Sequence, residues 1–141
     1  MVSCPVCGLP LPYDCRCYRT KEERLDAYLK QLARELELVK RVINGYRPAV
    51  ELVFFNGKGQ ELKRERCTAS VVEVDDFEYE LRVRVRGARD SAGVEMILYG
   101  VDGQILFRRR VMGWFPGEVE VEWYIGVPRE VTVAHKRRKC L

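Results

Sequence analysis

Four of the six cysteines fall within the first seventeen residues, Cys4 and Cys7 in CPVCG and Cys15 and Cys17 in CRC. Two close thiol pairs separated by a short loop form the ligand set of a tetrahedral zinc site. CPVCG has the spacing of a metal knuckle, a turn that aims both sulfurs at one ion, and Gly8 lets the backbone fold beneath them. The segment GLPLPYD, stiffened by two prolines, then returns the chain to the CxC pair. The alternatives for these thiols are a disulfide pair, an iron–sulfur site or idle side chains. A stretch this short cannot build a core and needs a staple. With cysteine at all four positions no coordination site stays open for a metal-bound water, so the expectation is one structural Zn2+ per chain and no zinc catalysis.

The run CPVCGLPLPYDCRC resembles the zinc-binding extension at the amino terminus of some archaeal homologues of translation initiation factor 1. In those proteins a CPxCG turn, a Leu-Pro and a CxC pair precede a helix. The resemblance covers residues 4–17 and implies that Cys4, Cys7, Cys15 and Cys17 are the ligands. It also implies an archaeal protein of the translation or nucleic-acid machinery. The compact α/β body of that factor is not traceable in residues 49–135.

No catalytic constellation accompanies the cysteines. His135 is the only histidine, and no motif surrounds it. A second metal site from Cys67, His135 and Cys140 has neither the spacing nor the motif for one. Asn56-Gly57-Lys58-Gly59 lacks the phosphate-loop pattern, and Asp75-Asp76 reads as a turn. The expectation is a non-enzyme with no small-molecule substrate.

Basic residues are better placed for binding. Lys136, Arg137, Arg138 and Lys139 form a terminal run, and Arg108, Arg109 and Arg110 another, neither with an acidic partner nearby in sequence. These seven are the candidate nucleic-acid contacts. Arg82, Arg84 and Arg86 also share a strand face, but Glu118, Glu120 and Glu122 would neutralise them if the two strands are neighbours. Net charge carries no such argument, because four thiolates and a divalent ion bring the formal +4 to about +2.

The elements that must hold these groups read clearly. Residues 1–19 are the cysteine module, 20–46 one long amphipathic helix, 49–135 a β domain and 136–141 a basic tail. Thr20 with Glu23 forms a capping box, and Asn44-Gly45 followed by Pro48 is a stop signal. Leu25, Leu29, Leu32, Leu36, Val39, Ile43 and Tyr46 alternate spacings of four and three, a coiled-coil seam. Asp26–Lys30 and Glu37–Arg41 add helical ion pairs. Tyr28, Ala33, Leu38 and Val42 widen the apolar face, which favours packing on the chain's own β domain; self-association through the seam is the alternative.

Alternation places Phe77, Tyr79, Leu81, Val83 and Val85 on one face, and Val119, Val121, Trp123 and Ile125 on another. Further strands are expected at 49–55, 67–74, 94–99, 104–111 and 129–134, with Asp102-Gly103 as a hairpin turn. The fold class is therefore α+β, with an antiparallel β-sandwich of immunoglobulin-like type, or a small barrel as the alternative. No apolar run approaches the roughly 20 residues of a membrane span, and no signal peptide opens the chain. Paired thiols without such a signal point to the cytoplasm. The function expected is that of a zinc-binding accessory protein of a nucleic-acid or ribonucleoprotein assembly, ribosomal among the candidates. The alternative is a structural or scaffolding protein, cellular or viral, assembling through the helix.

Overall fold

The Thr20 side chain accepts a hydrogen bond from the Glu23 amide at 3.0 Å, and the Glu23 carboxylate accepts one from the Arg19 amide at 3.2 Å. These bonds fix the start of α1 (Lys21–Ile43) by satisfying one free amide of the first turn and that of the residue before the cap. Its end is set at Asn44 and at Gly45, whose φ of 94° an L side chain adopts only with strain. The structure is a computed structural model and describes residues 2–127. The strand expected over 129–134, His135 and the basic tail lie outside the described residues.

Seven strands follow among the described residues: β1 (Ala49–Phe55), β2 (Glu61–Thr68), β3 (Ser70–Asp75), β4 (Glu78–Arg86), β5 (Gly93–Tyr99), β6 (Ile105–Met112) and β7 (Glu118–Gly126). They form two antiparallel sheets, ordered β2-β1-β5-β6 and β3-β4-β7. The class is thus α+β. Leu52, Phe54, Met96 and Leu98 of the larger sheet share one core with Leu81, Val83, Val121 and Trp123 of the smaller. Leu38, Val39 and Val42 of α1 close that core. A barrel would join the sheets at an edge, and no strand pair does so among the described residues. The strand order also departs from the immunoglobulin constant-domain order, which in sequence numbering is 1-2-5-4 with 3-6-7.

Two strand expectations are corrected. The strand expected at 67–74 holds the last two residues of β2 and most of β3, because the chain passes between sheets at buried Ala69, whose amide bonds to the Pro48 carbonyl at 2.9 Å. The missing strand, β2, is ELKRERCT, a charge-rich edge of the kind that resists pairing with other chains. Phe77 is not on the inner face of β4: it lies in the β3–β4 turn with φ 59° and is exposed. Arg82, Arg84 and Arg86 do stand opposite Glu122, Glu120 and Glu118, and ion pairs from Arg82 to Glu122 at 3.6 Å and from Arg84 to Glu120 at 3.3 Å neutralise that part of the stripe within the sheet.

Candidate metal centre

Residues 2–11 form a miniature hairpin, with the Cys4 amide on the Leu9 carbonyl and the Leu11 amide on the Val2 carbonyl, both at 2.9 Å. Gly8 sits at its tip with φ 78° and bonds to the Cys4 carbonyl at 2.9 Å. This turn is the CPVCG knuckle, and it faces the CRC pair. All four Sγ atoms lie within 4.8 Å of one another, with Cys7 Sγ 3.6 Å from Cys15 Sγ. Around a tetrahedral ion with metal–sulfur bonds of about 2.3 Å, sulfurs stand about 3.8 Å apart. The cluster is therefore close enough to hold a metal ion. The Val6 amide donates to Cys4 Sγ at 3.4 Å and the Cys17 amide to Cys15 Sγ at 3.3 Å. Backbone N–H groups pointing at sulfur suit the thiolate, the ligand form.

The cluster's electrostatics suit a cation. Burial pushes the Cys4 thiol up, but amide donors from Cys7 and Val6 together with hydrogen bonds from the Cys15 and Cys7 thiols hold Cys4 below the ordinary thiol range. Burial pushes Cys15 up, and hydrogen bonds to Cys7 and Cys15 push Cys17 up to about 12. Four adjacent thiolates repel one another, and a divalent ion removes that conflict.

The module is seated on two elements. Val2, Cys4, Leu11 and Cys15 pack with Ala27 of α1 as a second small core, flanked by Tyr18, Tyr28 and Leu32. A Cβ on Gly8 would stand 2.5 Å from the Arg108 carbonyl oxygen of β6, so glycine serves both the turn and the close approach. Gln31 is 2% exposed, and its Nε2 donates to the carbonyls of Ser3, Ile105 and Leu106 at 3.3, 3.2 and 3.0 Å. Its Oε1 accepts from Arg34 at 2.6 Å, and Arg34 in turn pairs with Asp102 at 2.9 Å. One side chain thus ties the cysteine module, the helix and β6 together.

Comparison with protein-family models, curated proteins and solved structures finds no match to this chain. The assignment of the centre therefore stands on its geometry.

Of the remaining candidate residues, Arg108 and Leu32 reach the cysteine module: the Arg108 guanidinium stands 3.5 Å from the Val6 carbonyl, and Leu32 flanks the small core. Arg108 and Arg110 lie on one face of β6, and both pair with Glu95 of β5 at 3.0 Å. The absence of an acidic partner, read from the sequence, is corrected here, because strand pairing brings Glu95 of the neighbouring strand beside both arginines. Arg110 also covers the Phe55 ring at 4.5 Å, as Arg66 covers Tyr99. Arg109 points to the opposite face from its neighbours and is exposed.

Of the helical seam, Val39 is buried and Leu32 half-buried. Leu25, Leu29, Leu36 and Ile43 are exposed by 49, 51, 38 and 50%, so the seam is not the face turned inward. Glu37–Arg41 closes at 3.1 Å, while Asp26 and Lys30 do not pair with each other. Cys67 lies on β2, away from the cluster.

Sequence reasoning did not single out Gln31 or Glu35, since polar residues at i and i+4 on a helix read as a solvated face, nor Glu95, whose role depends on the pairing of β5 with β6. Glu35 is nevertheless buried. It lines a cavity of about 480 Å³ between α1 and the strands β6 and β7, with Phe107, Arg109, Glu122 and Trp123. The Trp123 indole N–H is buried there with no hydrogen-bond partner among the described residues. Burial pushes the Glu35 carboxyl above its ordinary range. A raised native pKa means that the folded state holds the proton more tightly. That contribution to stability is full below the ordinary value of 4.5 and is lost as pH rises through the native one. Glu35→Gln, neutral throughout, is expected to gain in melting temperature over the parent chain as pH rises from 4.5 towards neutrality. Paired thermal melts across that window measure it, and a constant difference between the two proteins would remove Glu35 as a buried acid.

Proposed function

We propose that the chain is a non-enzymatic, cytoplasmic, zinc-binding accessory protein of a nucleic-acid or ribonucleoprotein assembly, its two sheets forming a sandwich that serves as a rigid platform. The observation that carries this reading is the closed cluster of Cys4, Cys7, Cys15 and Cys17. Four sulfur ligands suit Zn2+ and leave no open position, so the ion would shape the module rather than react. The surface so shaped exposes Val6, Leu9 and Tyr13, the last by 81%, with Arg16 bonded to the Tyr13 carbonyl at 2.7 Å. An exposed aromatic ring beside an arginine suits stacking on an unpaired base. The basic run 136–139 supplies phosphate contacts, whereas Arg108 and Arg110 are committed to Glu95.

The test is affinity for a single-stranded RNA as a function of salt, comparing the zinc-loaded full chain with one ending at residue 135. Loss of four cations is expected to lower the salt slope by about 3, at roughly 0.7 per phosphate contact. Tyr13→Ala is expected to weaken binding about tenfold with the slope unchanged. Equal affinity and slope for both chains would remove nucleic acid from the reading. A second reading, a scaffold that assembles through α1, is favoured by the exposed row of Leu25, Leu29, Leu36 and Ile43.

A further inference from the structure

We infer that α1 pairs with α1 of a second copy of this chain, antiparallel and about a two-fold axis near Ala33. The inference deepens the scaffold reading and rests on it. Single exposed leucines are ordinary on a protein surface. Here four large aliphatic side chains, at 38 to 51% exposure, occupy one row of the same helix. Meanwhile the helix turns Gln31 and Glu35 inward. From Leu25 to Ile43 the row runs about 27 Å at a rise of about 1.5 Å per residue. The four–three spacing is that of a seam facing another helix.

The charges flanking the row choose the occupant. One flank, carrying Tyr28, Glu35 and Val42, is buried or half-buried in the protein's own body. The other carries Asp26, Ala33 and Lys40 at seven-residue intervals, all exposed, and no ion pair engages Asp26 or Lys40 among the described residues. Reversed end to end, this flank is complementary to itself. An antiparallel copy sets Asp26 beside the second copy's Lys40 and Lys40 beside its Asp26, with small Ala33 at the centre allowing close approach. The same register lays Leu25 against the second copy's Ile43 and Leu32 against its Leu36. A parallel copy would need the flank that the body already occupies. The contact is the same patch on both chains, as a two-fold dimer requires.

The test is sedimentation of the zinc-loaded full chain over a range of concentrations, with zinc content and circular dichroism checked for every variant. A monomer–dimer equilibrium is expected. Leu29→Glu with Leu36→Glu, both at exposed positions, is expected to weaken it at least about 100-fold, since two aliphatic contacts per chain are lost and carboxylates are set into the seam. Asp26→Lys alone is expected to weaken the dimer about tenfold, by making two symmetry-related pairs repulsive. Asp26→Lys with Lys40→Glu is expected to restore the affinity, because swapped charges still match in the antiparallel pair. A chain that stays monomeric overturns both the pairing and self-assembly through the helix. A dimer that needs Leu29 and Leu36 but ignores the charges at 26 and 40 overturns the antiparallel pairing alone and keeps α1 as an assembly face.

Discussion

Cys15→Ser is expected to reduce bound zinc from one per chain to below about 0.2 and to unfold residues 1–19, since a serine hydroxyl replaces one of four thiolate ligands. Cys15 is fully buried, takes a hydrogen bond from the Cys17 amide, and stands 3.6 Å from Cys7. Structural zinc sites bind their ion with about 10–16 kcal/mol, as much as the whole stability of an ordinary domain. The module has little else to hold it: of the five buried residues in its small core, two are Cys4 and Cys15 of the thiol cluster. Its loss strips the cover from Ala27 and the N-terminal half of α1. Leu38, Val39 and Val42 remain in the larger core, so the sheets should stay folded. The effect therefore reads as selective proteolysis of the first twenty or so residues, with β-sheet circular dichroism retained and metal analysis showing the zinc gone. Cys67→Ser on β2 is the control and should keep its zinc. Full zinc occupancy in Cys15→Ser would defeat the four-thiolate centre.

The sequence announced this centre because its signal is local. CPVCG and CRC carry ligand type, spacing and turn chemistry within seventeen residues, and no long-range contact is needed to read them. The helix ends were equally legible, from Thr20, Glu23 and Asn44. The placement of Arg82, Arg84 and Arg86 opposite three glutamates was legible as a conditional, because alternation fixes the faces and only strand adjacency was missing. What stayed hidden depends on partners distant in the chain. Glu95 neutralises Arg108 and Arg110 only after β5 and β6 pair. Strand β2 was obscured by its charges, which mark its position at a sheet edge. The orientation of α1 was misleading, since its best apolar seam is not the face it buries. The buried face mixes Ala27, Leu38 and Val42 with Gln31 and Glu35, and only the carbonyls of Ser3, Ile105 and Leu106 explain why Gln31 belongs there.

That orientation makes a second large effect run against hydrophobic intuition. Gln31→Leu places an apolar side chain of similar size at a site only 2% exposed, yet it is expected to destabilise the protein by about 3 kcal/mol. The substitution removes the donor to three backbone carbonyls and the acceptor for Arg34. Each buried group left unpaired costs about 1–3 kcal/mol, and the added apolar burial returns about 1–2 kcal/mol. Gln31 also joins the module to β6, so its loss should loosen both contacts and lower the melting temperature by roughly 10 °C for a chain of this size. The reverse exchange two residues away, Leu29→Gln, removes an aliphatic side chain that is 51% exposed. Measured at a concentration where the chain is monomeric, it should alter stability by no more than about 0.5 kcal/mol. Denaturant titrations of the two variants, side by side, decide which face of α1 is inward. A larger loss for Leu29→Gln than for Gln31→Leu would mean that the leucine seam, and not the Gln31 face, packs against the sheets.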